Sequence, residues 1–287
     1  MLVKRAKTAG FCMGVSLALR TLDKAIESNP GKTRICTLGP IIHNPQVLTD
    51  YEAQGVVCLQ KLDSVTACDI VVIRAHGVPR QDEEFLRQSG ATLVDATCPR
   101  VKKAQLAIAR ATADGSSLLL FGEADHPEVR GLISYACCKS HVFTDLATLE
   151  GMELDSDQSW VLASQTTQNA GLFEEIRAYL EKKLPRLKVL ATICDATDER
   201  QAEALAIAKD VEAMVVVGGR QSGNTRRLAS LAAGCGITTY HVEEIQELTE
   251  QDFAGKTTVG LTAGASTPKP LIDAAEVWLK DIKTSSN

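Results

Sequence analysis

Short apolar runs rich in β-branched residues alternate along this chain with longer segments of helical periodicity. Three of those helical segments open on a cysteine: AGFCMGVSLALRTLDKA at Cys12, DATCPRVKKAQLAIARA at Cys98 and TICDATDERQAEALAIA at Cys194. Residues 91–96 and 187–193, just ahead of Cys98 and Cys194, are apolar and predict strands. After each cysteine-led helix a strand ends at a glycine and a loop enters another helix, in TLGPIIHNPQV, LLLFGEADHPEV and VVVGGRQSGNTRRL. The fourth residue after that glycine is polar each time: His43, His126 and Ser222, which lie 31, 28 and 28 residues beyond their cysteines. A further strand follows in GVVCL, HVFT and TTYHV, and another ends in polar residues in VVIRAHGVP, WVLASQTTQ and TVGLTAGAST, where His76, Thr166 and Ser266 stand.

One α/β unit is thus written three times, over residues 1–97, 98–193 and 194–287. Alternating strands and helices imply small parallel sheets with right-handed crossovers. Ligands of such sheets sit beyond the carboxyl ends of the strands, and every polar position above is a strand end or a helix start. The simplest arrangement places the three units around a pseudo-threefold axis with those ends pointing inward.

Composition narrows the function. The net charge of −5 and the absence of a long basic run argue against nucleic acid or an anionic membrane as main partner, and 4% aromatic residues leave little for base stacking. No apolar run reaches the roughly 20 residues of a membrane span. Lys4, Arg5 and Lys7 precede an apolar stretch, but Arg20, Asp23 and Lys24 follow it where a cleavage site would stand, so the expected location is cytoplasmic.

The nine cysteines are odd in number and include no C-x-x-C pair, which disfavours a disulfide framework and zinc ribbons. Three thiolates at helix N-termini suit an anionic metal centre, because backbone N–H groups and the helix dipole stabilise negative charge there. Zinc with an open position and a cubane cluster with three cysteine ligands both fit, and spacing does not choose between them. Cys36, Cys58, Cys68, Cys137, Cys138 and Cys235 lack matching partners and read as structural.

His43, His76, His126, Thr166, Ser222, Asn224 and Ser266 together make an anion site suited to a diphosphate. His141 and His241 fall outside the pattern. No P-loop and no G-x-G-x-x-G occurs, so a nucleotide is not indicated. Glu128 lies in the His126 loop; it is an ordinary first-turn residue, yet a glutamic acid near a metal-bound hydroxyl could also deliver a proton.

With these stretches in view the chain resembles the LytB/IspH family, through AGFCMGV, GPIIHNPQV, RAHGVP, DATCPRV, HPEVRG, SQTT, ICDATDERQ, QSGNTRRL and GASTP, from residue 9 to about 270. The resemblance implies one 4Fe–4S cluster held by Cys12, Cys98 and Cys194 with one open iron, at the centre of three α/β units. It implies that residues 1–13 pack with the third unit. Substrate contacts would come from His43, His76, His126, Thr166, Ser222, Asn224 and Ser266, with Glu128 as proton donor and Thr166 organising the substrate hydroxyl. Where relatives commonly carry two serines before the asparagine, this chain has Ser222-Gly223-Asn224; the Gly223 N–H can still donate, and about 1 kcal/mol of binding at most is expected to be lost.

The activity implied is reductive dehydroxylation of (E)-4-hydroxy-3-methylbut-2-enyl diphosphate to isopentenyl and dimethylallyl diphosphate, the last step of the non-mevalonate pathway. No flavin or nicotinamide fingerprint is present, so electrons are expected from a separate ferredoxin or flavodoxin. Two rivals use the same cysteines: an iron–sulfur hydro-lyase, which needs no electron donor, and a non-enzymatic iron–sulfur sensor, which tolerates loss of Glu128 and Thr166.

Overall fold

The computed structural model describes residues 1–29, 31 and 33–282. In chain order the elements begin with β1 (Leu2–Arg5), α1 (Met13–Glu27), β2 (Ile35–Leu38), α2 (Pro45–Ala53), β3 (Val57–Leu59), β4 (Ile70–Ile73), α3 (Arg80–Gln88) and β5 (Thr92–Asp95). The second stretch runs α4 (Pro99–Thr112), β6 (Ser117–Phe121), α5 (Pro127–Ile133), β7 (Ser140–Phe143), α6 (Leu146–Glu150), β8 (Trp160–Ser164), α7 (Ala170–Lys183) and β9 (Leu187–Val189). The third is α8 (Asp195–Ala208), β10 (Ala213–Val217), α9 (Gly223–Gly234), β11 (Thr238–Val242), two 3-10 turns, β12 (Thr258–Ala263) and α10 (Lys269–Asp281).

These strands form three four-stranded sheets, ordered β3-β2-β4-β5, β7-β6-β8-β9 and β11-β10-β12-β1, and every pairing is parallel. The expected α/β class and threefold repetition are therefore present. In the third sheet the fourth place is taken by β1, from the start of the chain, with Val3 opposite Val259. The chain divides into two compact units: residues 1–15, 43–47 and from Asp195 on, which hold the β1-containing sheet, and residues 16–42 and 48–194, which hold the other two.

The strands are apolar at successive positions because both sheet faces are covered. In the first unit Ala213, Val215 and Val217 pack toward Ile272, Ala275 and Leu279 of α10, while Met214 and Val216 pack toward Ala204, Ala208 and Leu228 of α8 and α9. In the second, Leu119, Phe121 and Leu162 meet Phe173, Ile176 and Leu180 of α7. There Leu118, Leu120 and Val161 meet Ala104 and Ile108 of α4 and Val129 and Leu132 of α5.

The expected strand over 187–193 stops at Val189, for a local reason. The Ser164 N–H that would continue the ladder donates instead to the Thr192 hydroxyl at 2.7 Å, and that hydroxyl returns a bond to the Ser164 carbonyl at 2.8 Å. No helix among the described residues is long and apolar enough to cross a membrane.

Candidate functional site

Each of the three cysteines occupies the residue immediately before a helix: Cys12 before α1, Cys98 before α4 and Cys194 before α8. Each backbone N–H is held by a carbonyl just past the end of a central strand, Ala265 at 3.1 Å, Ala75 at 2.9 Å and Thr166 at 3.0 Å respectively. The Cys12 sulfur accepts the Val15 N–H at 3.4 Å, so a helix-start amide points at the thiol. None of the three is in a disulfide, and all are partly exposed. The loops that deliver them are pinned by side chains. Glu203 accepts from the Lys7 and Thr8 N–H groups at 2.8 and 2.9 Å, Asp95 accepts from Thr97 N–H at 2.9 Å, and Thr192 holds Ser164.

These same bonds revise one position of the sequence repeat. Register aligns Phe121 with Ser164 and Val217 with Ala263, and continuation of the β2–β4 ladder aligns Leu38 with Ile73. Counting on, Thr166 occupies the place of Ala75 and Ala265, and Thr167 that of His76 and Ser266. Thr166 thus stands one residue ahead of the place that His76 and Ser266 hold in their repeats; a one-residue difference in loop length cannot be read from spacing.

In the first unit, Ser222 is the N-cap of α9, accepting the Thr225 N–H at 3.3 Å, and is 5% exposed. The Ser266 hydroxyl donates to the His43 carbonyl at 3.0 Å and lies 3.5 Å from the Ser222 oxygen. Gly219 lets the His43 backbone approach, since a Cβ there would stand 2.7 Å from the His43 carbonyl oxygen. Asn224 is 4% exposed and its Nδ2 has no partner among the described residues. A buried amide donor without an acceptor costs free energy, which an anionic ligand at this helix start would recover. The Gly223 backbone is buried at the first residue of α9.

In the second unit, His126 caps α5: its Nδ1 accepts the Glu128 N–H at 3.1 Å. That bond assigns the Nδ1 lone pair, so the neutral ring carries its proton on Nε2 and can donate from there. The His76 ring stands edge-on to His126, centroids 5.3 Å apart. The turn that carries His76 is closed twice, by Gly77 N–H donating to the Arg74 carbonyl at 2.9 Å and by Arg74 Nε donating to the Gly77 carbonyl at 3.3 Å. Glu128 is 1% exposed and accepts the Thr166 N–H at 2.6 Å. Burial pushes its carboxyl up, against the opposing pull of the Thr166 backbone and hydroxyl donors. A carboxyl of raised proton affinity next to a hydroxyl is therefore built into this unit.

The remaining candidates divide. His241 Nε2 lies 2.9 Å from the Gly218 carbonyl and His141 packs beside Trp160, so both are structural. Cys36 is fully buried, and burial pushes its thiol up to about 11. Cys68, Cys137 and Cys138 are exposed, so core packing does not account for them as the sequence pattern suggested. Arg74, Thr167 and the loop anchors Thr192 and Glu203 were not singled out by sequence; only sheet register and tertiary hydrogen bonds mark them.

The family described as LytB protein matches residues 3–280. The chain belongs to the LytB family. A relative in Desulfovibrio desulfuricans, named 4-hydroxy-3-methylbut-2-enyl diphosphate reductase, is 62% identical over 286 residues, covering 98% of this chain and 100% of the relative. One of the same name in Aquifex aeolicus is 38% identical, covering 96% and 95% of the two chains. The solved structure of (E)-4-hydroxy-3-methyl-but-2-enyl diphosphate reductase, described as the terminal enzyme of the non-mevalonate pathway, has TM-score 0.68 at 36% identity and covers 98% of this chain and 100% of its own. The Plasmodium falciparum reductase structure shares the fold, with TM-score 0.92 at 24% identity over 98% of this chain and 88% of that one.

Proposed function

We propose that this LytB-family chain reduces (E)-4-hydroxy-3-methylbut-2-enyl diphosphate to isopentenyl and dimethylallyl diphosphate, the last step of the non-mevalonate pathway, in the cytoplasm. The observation that carries the reading is Glu128, a buried carboxyl with raised proton affinity, bonded to Thr166. In such a reaction one C–O bond breaks, two electrons and two protons enter, and water leaves.

Three cysteines outside any disulfide at equivalent helix starts, with a backbone N–H directed at the Cys12 sulfur, suit a thiolate-held anionic cluster. Cys12, Cys98 and Cys194 would hold a 4Fe–4S cluster with one iron open, and that group would supply electrons and a Lewis acid for the substrate hydroxyl. Ser222, Gly223, Asn224 and Ser266 bind the diphosphate, the orphaned Asn224 amide gaining an acceptor. His43, His76 and His126 add imidazole donors to the substrate. Thr166 orients the departing hydroxyl, and Glu128 passes its proton to that oxygen from Oε. Burial of Glu128 and Thr166 keeps water from competing for that proton. Electrons come from a separate carrier, a ferredoxin or flavodoxin.

The deciding experiment is an anaerobic assay of cluster-reconstituted protein with reduced viologen dye and the hydroxylated allylic diphosphate. Dye oxidation dependent on substrate, with both isoprenoid diphosphates formed, is the expected result. An intact cluster with no dye oxidation would defeat the reductase reading and favour a hydro-lyase.

A further inference from the structure

Helix α4 differs in charge from the chain that carries it. Its fourteen residues include Arg100, Lys102, Lys103 and Arg110 and no acidic residue, in a chain of net charge −5. One face is core: Val101, Ala104 and Ile108 are buried. The opposite face, Pro99, Lys103, Leu106 and Arg110, recurs at steps of four, three and four residues and is exposed. Lys102 is neutralised, its Nζ lying 3.1 Å from Glu83 and 3.5 Å from Asp95. Lys103 and Arg110 have no ion-pair partner among the described residues.

A shallow groove of about 560 Å3 follows this face, from Thr97 and Pro99 past Lys103 and Leu106 to Arg110. Its walls include the residues on both sides of Cys98. Leu106, 45% exposed, gives it an apolar middle between two cationic ends. The stripe is about 16 Å long from Pro99 to Arg110, by the rise of an α-helix. A small apolar centre with a charged rim is the anatomy of weak, transient redox encounters.

We infer that this face of α4 is the docking surface for a small acidic one-electron carrier protein. The inference rests on the reductase reading, in which two electrons enter per turnover. Each encounter delivers one; the carrier is oxidised by one electron each time and leaves. An acidic carrier is repelled by the chain as a whole and attracted where Lys103 and Arg110 stand uncompensated on a helix without acidic residues. Proximity to Cys98 makes that landing productive. No aromatic residue lines the groove for base stacking, and one exposed leucine is too little for membrane insertion.

The test uses cluster-loaded full-length protein, the double variant K103E/R110E, and a control, K182E/K183E, at the exposed end of α7. Binding of an oxidised acidic ferredoxin is measured by interferometry without substrate, at low and high salt. The parent and the control should bind alike and weaken with salt, and K103E/R110E should bind at least tenfold more weakly. The ferredoxin-driven cluster reduction rate, followed by stopped-flow absorbance, should fall in parallel, while dye-driven turnover stays at the parent value. Equal ferredoxin binding by K103E/R110E overturns the proposal, as does equal weakening in the control. So does preferential, Lys103/Arg110-dependent binding of anionic vesicles or single-stranded DNA. Absence of dye-driven turnover in the parent would instead defeat the reductase reading, and the substrate-free binding result would still decide the docking surface.

Discussion

At the residue scale, Glu128 and Thr166 are buried and joined by a 2.6 Å hydrogen bond, and the proposed chemistry rests on that pair. Because burial raises the Glu128 proton affinity, the competent acid is present below its folded-state pKa and lost as pH rises through it. Dye-driven turnover should therefore fall on the alkaline side. Thr166→Val removes a hydroxyl that favours the carboxylate, so the limb should move to higher pH; a limb that moves down or stays would deny the Thr166–Glu128 coupling. Glu128→Gln should lower kcat by about a hundredfold or more with KM little changed. The same sign governs stability: a carboxyl raised in the fold favours folding at low pH and opposes it above its pKa, so E128Q should melt at or above the parent temperature at alkaline pH. At the anion subsite, Asn224→Ala removes a buried donor whose partner would be substrate. A rise in KM of about tenfold is expected at unchanged cluster content.

At the element scale, the strands were legible because both faces of each sheet are covered and the runs are continuously apolar. Their ends were not. The strand ahead of Cys194 stops where the Thr192 hydroxyl replaces a backbone carbonyl, and no local propensity encodes that exchange. Thr192→Val should leave the cores folded yet loosen the Cys194 loop, seen as faster iron loss to a chelator. In the β3-β2-β4-β5 sheet, Asp69 precedes β4 and accepts from Arg34 at 2.8 and 2.6 Å and from Thr66 N–H at 2.7 Å. The Arg34 guanidinium holds that buried carboxyl down at about 2. Its contribution, about 1 kcal/mol once solvent screening at the partly exposed Arg34 is allowed for, is present above pH 4 and is lost as pH falls through the folded value. Asp69→Asn should cost about that much at pH 7 and nearly nothing near pH 2, measured by urea unfolding.

At the scale of the whole molecule, the start of the chain is built into its last sheet. The β1 strand completes the β11-β10-β12-β1 sheet, and the Met1 nitrogen lies 3.0 Å from the Ile282 carbonyl. Arg5 further ties this strand to Asp273 and Glu276 of α10, each at 2.7 Å. A circular permutant joined from Asn287 to Met1 and opened at the exposed turn before Gly115 should fold and retain iron. Cooperative unfolding by circular dichroism and iron content near the parent value would bear this out; an insoluble or iron-free product would show that β1 must enter from a free end.

The sequence alone determined the fold class and the threefold α/β repetition, because hydrophobic period and cysteine-led helix starts are local signals. It also determined the LytB family, through motifs spread along nearly the whole chain. Tertiary structure decided what depends on distance. It displaced Thr166 by one place in the repeat, since sheet register and not residue count aligns strand ends. It marked Arg74 and the loop anchors, whose partners lie remote in sequence or depend on backbone geometry. It also gave Glu128 its raised proton affinity, because desolvation is a property of the packed fold and not of the HPEV motif.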